Sequence, residues 1–469
     1  MKSRKFKMAT LFSGAGGLDT GFIQTGKFKM LLANDVLPAP AQTYSENHLH
    51  KILQVSEFNS KSKLPAYLIG DISKIDFKPL GRLDCMVGGP PCQDFSIARA
   101  TTTERRGIEV GRGKLYSHFI RALISTQPKV FAFENVPGLI SANRGVAFKT
   151  IVDDFSKLHI RWDEVKKSIG DGNSKNVRNY SVIFKSVIDS ANVGVPQHRR
   201  RLIIIGVRQD LIDWVLENEL RQRTENMLLG RKSLISKYPL TAMEAFTGLT
   251  IPDLNDEYRE VMKDYKFIAE KVKTEQAVKW RDTVWKKLTF DAVKDYIFLN
   301  NISTKHVDKS EIEEAFEAHV AVLKELGYYK RNLEGRRFVD GTNELPGESD
   351  DVSKRMMMIP PDENSTFVDG TKYEVKSRGM SHIYRRTHPL KPAYTVLAYG
   401  GGGTWSYHYK SNRGKLTNRE RARLQTFPDN FMFKGTISEI RAQIGEAVPT
   451  RLGNKIAKAL EIILERTKR

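Results

Sequence analysis

Cysteines are scarce in this sequence, and long apolar runs are missing from it. Only Cys85 and Cys92 are present among 469 residues, which excludes a disulfide framework and a zinc site built from several cysteines. No apolar run is long enough to span a bilayer, and the basic start "MKSRKFKMATLFSGAGG" is broken by glycines, unlike a signal peptide. We therefore expect a soluble, intracellular, cytoplasmic protein without a metal site.

Acidic residues are also in short supply relative to basic ones. The chain has 76 Lys and Arg against 55 Asp and Glu, which gives a formal net charge of +21. Such an excess favours a polyanionic partner, most often nucleic acid. A basic enzyme that has nothing to do with nucleic acid would show the same composition, so charge alone does not decide.

The first two hundred residues alternate short apolar runs with amphipathic segments. "KMATLF", "FKMLLAND", "RLDCMVGG", "KVFAFENV", "YSVIFKSVI" and "RLIIIGVR" are typical of strands, and "KLYSHFIRALIST" and "VAFKTIVDDFSKL" are typical of helices. This alternation predicts an α/β, Rossmann-like fold with a parallel sheet covered by helices on both faces. Ligands of such sheets bind beyond the carboxyl ends of the strands.

The pattern changes after about Arg208, which divides the chain into domains. We expect a first domain over 1–208 and a second, smaller one over 209–440, with a charged helical insertion at about 255–330. The last segment, 441–469, places four apolar side chains on one helical face, and we expect it to return to the first domain. These four are Ile456, Leu460, Ile463 and Leu464.

A glycine-rich turn, "FSGAGG", follows the first predicted strand. It lacks the GxGxxG fingerprint, because Asp19 stands where the third glycine belongs, and it is not followed by a phosphate-binding GKS or GKT. Asp35 ends the second strand, where an acid binds ribose hydroxyls, and Asp71 and Ile72 lie near a third strand end. Such a turn is often only a tight connection, but the ordered set favours an adenosine-bearing cofactor, S-adenosylmethionine rather than ATP.

The stretch "VGGPPCQDFS" presents Cys92 on a turn stiffened by prolines. A free cysteine usually fills space in a core, and Cys85, inside an apolar strand, fits that description. At Cys92, adjacent N–H groups on a fixed backbone favour a reactive thiolate. Glu134, at the end of "FAFEN", either bonds to neighbouring backbone or acts as a proton donor or acceptor.

The stretch "VPQHRRRLIIIG" alternates Gln197, Arg199 and Arg201 ahead of an apolar strand. Because side chains alternate along a strand, we expect these three to share one face, where they grip a base edge or phosphates. A basic strand end is otherwise ordinary solvated surface.

Taken in order, these motifs resemble those of DNA (cytosine-5) methyltransferases. "FSGAGG", "PPCQDFS", "ENV", "QHRRR", "RERARLQTFPD" and "GEAVP" occur along the whole chain in the order typical of that family. The absence of a long regulatory extension is typical of bacterial or phage restriction-modification enzymes. The resemblance implies a Rossmann-like S-adenosylmethionine-dependent methyltransferase domain with a separate target-recognition domain.

The resemblance also implies roles for individual residues. Cys92 is the nucleophile that adds to C6 of cytosine, Glu134 binds N3 and the exocyclic amine, and Arg199 and Arg201 hold O2 and nearby backbone. The residues implied in binding S-adenosylmethionine are Phe12, Gly14, Gly17, Asp35, Asp71, Ile72, Pro90 and Leu115.

The implied substrate is double-stranded DNA with the target cytosine flipped out of the helix. The polar segment after Cys92, "IARATTTERRGIEVGRGKLY", is then a loop that closes over DNA while Leu115 approaches the cofactor. Our candidates for DNA contact are Gln197, Arg378, Arg385 and Arg386. We expect a monomer, in a bacterial cell or phage-infected host, with a cognate restriction endonuclease as functional partner.

Three positions depart from the family pattern. Thr10 stands where Asp is usual, and Asp35 replaces Glu but can still reach ribose hydroxyls. Glu446 replaces the Asn of "GNAVP" near the cofactor's amino-acid end, so we expect it to alter cofactor affinity without abolishing binding. Two alternatives remain open: an RNA or tRNA cytosine-5 methyltransferase of the same family, and a relative that binds DNA without catalysis.

Overall fold

Two compact units make up the chain in this computed structural model. It describes residues 4–91, 114–158, 177–230, 233–303, 308–376 and 383–467. Within these ranges the first unit comprises 1–189, 200–230 and 447–469, and the second comprises 190–199 and 231–446.

The first unit is built on an eight-stranded sheet with the order β3-β4-β2-β1-β5-β6-β8-β7. The strands from β3 to β6 in this order run parallel, whereas β8 is antiparallel to both β6 and β7. Their bounds are β1 Phe6–Leu11, β2 Phe28–Asp35, β3 Lys51–Gln54, β4 Ala66–Ile69, β5 Cys85–Gly88, β6 Val130–Asn135, β7 Tyr180–Asp189 and β8 Arg200–Arg208.

Helices cover both faces of this sheet. They are α1 Gly17–Gln24, α2 Pro38–His48, α3 Lys114–Thr126, α4 Val146–Ser156, α5 Trp214–Leu229 and the last helix of the chain, α16 Thr450–Arg466. Leu32 and Leu68 pack in the core under α3 and α4, whereas the next or preceding residues, Ala33 and Tyr67, pack with α2. Because successive strand residues point to opposite faces, these helices lie on opposite sides.

The C-terminal helix packs closely against α1. A Cβ added at Gly21 of α1 would lie 2.2 Å from the Thr450 carbonyl oxygen, and the Asn454 side-chain amide donates to the Gly21 carbonyl at 3.2 Å. The apolar face of α16, with Ile456 and Leu460, is buried. This contact brings the end of the chain to the helix that follows β1.

The second unit is helical in its described residues, with isolated bridges but no extended strand. Its core includes three fully buried arginines of α14, which is unusual because buried charges need partners. Arg419 pairs with Asp340 at 2.7 Å and Arg423 with Asp429 at 2.6 Å, while Arg421 donates to the Trp405 carbonyl. The helices are α6 Leu234–Lys237, α7 Ala242–Thr247, α8 Asn255–Lys263, α9 Lys266–Lys271, α10 Glu275–Thr283, α11 Ala292–Leu299, α12 Lys309–Glu325, α13 Asp350–Met357, α14 Asn418–Leu424 and α15 Ile437–Glu446.

The predicted α/β class is confirmed, but the expectation of a wholly parallel sheet is wrong, since β8 inserts antiparallel beside β6. The strand β3 was not predicted, whereas β4, which ends at Ile69, corresponds to the strand end expected just before Asp71. The first unit also extends past residue 208, because α5 packs against β7 and α16.

Candidate active site

The loop after β5 lies directly against Glu134. This loop begins Gly89–Pro90–Pro91, and Cys92, the next residue, lies outside the described ranges. The Asn135 side-chain amide donates to the Pro90 carbonyl at 3.0 Å, which ties the loop to the end of β6. A Cβ added at Gly89 would lie 2.6 Å from Glu134 Oε2. The carboxylate is therefore in contact with the backbone three positions before Cys92.

Arg201 orients the Glu134 carboxylate. The two side chains project from the antiparallel neighbours β6 and β8. Arg201 Nε lies 2.9 Å from Glu134 Oε1, and the side chains are 14% and 15% exposed. Arg201 Nη1 also donates to the Arg200 carbonyl at 2.8 Å. A guanidinium fixed in this way holds the carboxylate in one orientation.

The glycine-rich turn leaves β1 with a left-handed backbone. Phe12 and Gly14 have φ of 59° and 51°, and Gly17 begins α1. The Gly14 N–H donates to Asp35 Oδ2 at 2.9 Å, and the Tyr67 hydroxyl donates to the Gly14 carbonyl at 3.0 Å. A Cβ added at Gly14 would meet no atom within 4 Å, so the turn faces open space.

Asp35, at the end of β2, is followed by two exposed apolar residues. Its Oδ1 accepts from the N–H groups of Val36 at 2.7 Å and Leu37 at 3.3 Å. Burial raises the pKa of Asp35, and the donors from Gly14, Leu37 and Val36 oppose that shift. Val36 is 61% exposed and Leu37 45%. A carboxylate for ribose hydroxyls beside apolar surface for a base fits an adenosine-bearing cofactor.

Three other residues predicted to bind the cofactor differ in their exposure. Asp71 is exposed, and the Ser73 N–H that it accepts lowers the pKa of its carboxyl. Ile72 is buried, and its carbonyl accepts from Arg121 at 2.6 Å. Leu115, at the start of α3, packs against the same apolar core as Phe12.

The sequence did not predict that a buried carboxyl, that of Asp19, follows the glycine-rich turn. Asp19 lies in the first turn of α1 and is fully buried. Burial raises the pKa of Asp19 to about 7, opposed by the hydroxyls of Thr10 and Tyr44. Tyr44 also packs where a Cβ at Gly16 would lie, at 2.6 Å. No local pattern signals this contact, because Tyr44 comes from the following helix.

Gln197 and Arg199 are buried and hydrogen-bonded within the second unit, and that they share a face with Arg201 stays a prediction. Gln197 is buried and donates to the Leu424 carbonyl at 3.0 Å. Arg199 is buried and donates to the Val396 and Gly445 carbonyls, at 3.2 and 2.8 Å. The strand begins only at Arg200, so strand alternation does not apply to the two earlier residues. Both bond within the second unit, whereas Arg201 pairs with Glu134 in the first.

The arginines predicted for DNA contact are placed unequally. Arg386 is fully buried and donates to the carbonyls of Ile359 and His408, so its guanidinium holds the protein together. Arg385 is half-buried over the Tyr394 ring, 3.1 Å from its centroid. Arg378 lies outside the described residues. The surface role predicted for Arg386 is therefore wrong.

Glu446 makes a contact that its sequence position did not suggest. The Tyr399 hydroxyl donates to Glu446 Oε1 at 2.5 Å within the second unit. Gly445 packs against the backbone of Ala398, 2.3 Å from an added Cβ. The Glu446 carboxylate, which stands where the family has an amide, thus accepts a hydrogen bond from Tyr399. Its effect on cofactor affinity stays a prediction.

An open α/β sheet with a glycine turn after β1 and an acid ending β2 defines a Rossmann-like cofactor-binding enzyme. The comparison with known families is more specific, because the C-5 cytosine-specific DNA methylase family matches residues 6–461. The chain therefore belongs to that family.

Similar proteins agree with this assignment. The DNA (cytosine-5-)-methyltransferase M.ApeKI of Aeropyrum pernix is 50% identical over 468 residues, 98% of this chain and 99% of that protein. The type II methyltransferase M.NgoFVII of Neisseria gonorrhoeae is 29% identical over 462 residues, 98% of this chain and 87% of that protein. A putative DNA modification methyltransferase from an E. coli prophage shares the fold, with 19% identity, a TM-score of 0.53 and coverage of 98% and 100%.

The chain is accordingly a DNA (cytosine-5) methyltransferase that uses S-adenosylmethionine and acts on DNA. This confirms the predicted class, cofactor and DNA substrate. Among the described residues, none of the helices combines the length and apolar character needed to cross a membrane.

Proposed function

We propose that Cys92 is the nucleophile and Glu134 its partner at the target base. The supporting observation is the contact between the Glu134 carboxylate and Gly89, because it lies three positions before Cys92 in the chain. Cytosine C5 is too weak a nucleophile to take a methyl group directly. Addition of the Cys92 thiolate to C6 makes C5 electron-rich.

The proposed cycle makes and then breaks one covalent bond between the protein and the base. A bond forms between Cys92 Sγ and C6, and C5 gains the methyl group as the bond between that group and the cofactor sulfur breaks, which would leave S-adenosylhomocysteine. C5 then loses its proton to solvent, and the Sγ–C6 bond breaks to restore the ring and the thiolate. The base must leave the helix first, which costs roughly a few kcal/mol. Bound S-adenosylmethionine supplies the electrophilic methyl group.

Glu134 and Arg201 act together in this proposal. One oxygen of the Glu134 carboxyl group accepts from the exocyclic amine of the flipped cytosine, and the other shares a proton with N3, where negative charge develops as the thiolate adds. Arg201 fixes the carboxylate through the 2.9 Å contact, so it is a positioning residue in addition to any contact of its own with O2.

The residues at the carboxyl ends of β1 and β2 would hold the cofactor. Asp35 would accept from ribose hydroxyls, and Val36 and Leu37 offer exposed apolar surface to the adenine. Asp71 and the turn from Phe12 to Gly17 complete the set. Each of these residues belongs to the first unit.

We further propose that the second unit recognises the target sequence and that the enzyme protects host DNA from a cognate endonuclease. Relatives named type II methyltransferases support the second point. Arg385 remains a candidate for DNA contact, together with Arg378. We expect a monomer in the cytoplasm, where such DNA lies.

Labelled S-adenosylmethionine incubated with duplex DNA and, separately, with tRNA tests this function. We expect label in DNA only, with bisulfite sequencing giving the modified site. Cys92→Ser is expected to keep DNA binding and lose turnover. Methylation by Cys92→Ser at a rate near that of the unmodified enzyme would remove Cys92 from the mechanism.

A further inference from the structure

Charge is distributed unevenly over the helical insertion of the second unit. Residues 263–287 carry eight Lys and Arg but four Asp and Glu. The helix α12, later in the same insertion, carries two lysines and five glutamates. The excess of basic over acidic residues thus lies in α9, at Lys273 and in the turn Trp285–Lys287, whereas α10 carries two residues of each sign.

Ion pairing divides the lysines of this segment into two groups. Three of them lie beside carboxylates: Lys263 beside Glu260, Lys266 beside Glu270 at 3.6 Å and Lys286 beside Asp282 at 2.8 Å. Four others are exposed and form no salt bridge with any residue that the structure describes: Lys271, Lys273, Lys279 and Lys287. We name these four the basic face.

The basic face is carried on a packed support. The rings of Trp280 and Trp285 lie 5.4 Å apart, and Arg281 donates to the Val272 carbonyl at 2.8 Å. Trp280 also packs edge-on against Phe367 at 6.1 Å. Lysines on such a support lose less conformational freedom on binding than lysines on a disordered segment.

One lysine of the basic face, Lys279, acts on a carboxyl that two other cations also affect. Burial raises the pKa of Glu363, and the charges of Arg385, Lys279 and Lys391 oppose that shift. Lys279 of the basic face therefore acts on the same carboxylate as Arg385, one of the candidates for DNA contact. Lys391 is itself paired, with Asp362 at 2.6 Å.

We propose that the basic face binds phosphate groups of the duplex DNA substrate and adds affinity that does not depend on base sequence. The proposal rests on the DNA substrate of the proposed function and extends it to a surface of the insertion. Duplex DNA carries about one negative charge per 1.7 Å of axis, and lysines that neutralise phosphates release counterions. Contacts of this kind carry no sequence information.

The test compares the salt dependence of binding in matched variants. The full chain, with S-adenosylhomocysteine present to prevent turnover, is titrated against a labelled duplex by fluorescence anisotropy at several salt concentrations. Lys271→Gln, Lys273→Gln and Lys279→Gln are combined in one variant. The slope of log K against log salt is negative, and each lost phosphate contact makes it less steep by about 0.9, so we expect its magnitude to fall by about 2 to 3 in total.

The matched control combines Lys263→Gln, Lys266→Gln and Lys286→Gln, which removes the same charge from lysines already paired. For this control we expect the magnitude of the slope to fall by less than about 1. A further variant, in which the three test lysines become arginine, should leave the slope unchanged. The decrease in the test variant should be the same on a duplex with the methylation site and on one without it.

Two results would overturn the proposal. Equal slopes for the test variant and the unmodified protein would assign the basic face to solvent or to an acidic protein. Equal decreases in the test and control variants would mean that only net charge matters. Failure of the proposed function is distinguishable, because it shows as absence of label transfer to DNA by the unmodified enzyme.

Discussion

At the scale of single residues, the site depends on where one carboxylate is held. Glu134 contacts the backbone at Gly89 and pairs with Arg201, so both the loop and the neighbouring strand limit its position. The sequence predicted Glu134 from its place at a strand end. It did not predict the contact with Gly89, since no local pattern reports what faces a glycine.

Replacing Gly89 by alanine should therefore displace the carboxylate. The added Cβ would lie 2.6 Å from Glu134 Oε2, and a shift of about 1 Å in a reacting group costs up to about 100-fold in rate. We expect kcat for DNA methylation to fall by about 10- to 100-fold, measured by label transfer at saturating DNA. Gly138→Ala, whose added Cβ meets only Val136 at 4.0 Å, is the control, and equal kcat in both variants would contradict the placement of Glu134.

Asp19 gives a prediction about pH and stability. Its pKa is raised by burial from 3.8 to about 7, so between these values the folded chain holds a proton that the unfolded chain has released. Stability from this group is therefore present in full at acid pH and is lost as pH rises from about 4 to 7. The free energy of unfolding is measured with urea at pH 5, 6, 7 and 8. The unmodified protein should lose a few kcal/mol, roughly, over this range, and Asp19→Asn should not show that loss.

Parallel unfolding curves for the two proteins across this pH range would show that Asp19 is ionised throughout. The comparison isolates Asp19, because the other titrating groups are common to both proteins. The groups nearest the carboxyl, Thr10 and Tyr44, carry no charge at these pH values.

At the scale of elements, apolar runs identified six of the eight strands but not their directions. These six are β1, β2, β5, β6, β7 and β8. The strand β4 was expected only through its end before Asp71, and β3, "KILQ", was not predicted. Antiparallel insertion of β8 depends on pairing with β6 across the sheet, which composition does not report. Strand alternation cannot be applied to Gln197 and Arg199, because they precede β8.

The contact between α1 and α16 is a second element-scale feature with a testable consequence. A Cβ at Gly21 would lie 2.2 Å from the Thr450 carbonyl oxygen, so Gly21→Ala must separate the helices. We expect a loss of about 2 kcal/mol or more in the free energy of unfolding, measured with urea. Gly138→Ala is expected to change it by less than about 0.5 kcal/mol, and a similarly small change for Gly21→Ala would contradict the close packing.

At the scale of the whole molecule, the sequence motifs identified the family but not the division of the chain. The second unit is stabilised by buried arginines such as Arg419 and Arg423, and a search for apolar periodicity does not detect a core of that kind. The first unit is discontinuous, since it takes in 200–230 and 447–469 as well as the start of the chain. The predicted boundary at residue 208 lies inside the second segment of this unit, because nothing in the local sequence marks where a discontinuous unit ends.

The direct test of the account is capture of the enzyme on DNA that carries 5-fluorocytosine at the methylation site. Fluorine at C5 cannot leave as a proton does, so the covalent bond to C6 should persist after methyl transfer. We predict a denaturation-resistant complex whose peptide map places the attached base on Cys92. A map that placed the base on another residue, or the absence of any adduct while unmodified cytosine is methylated normally, would contradict the account.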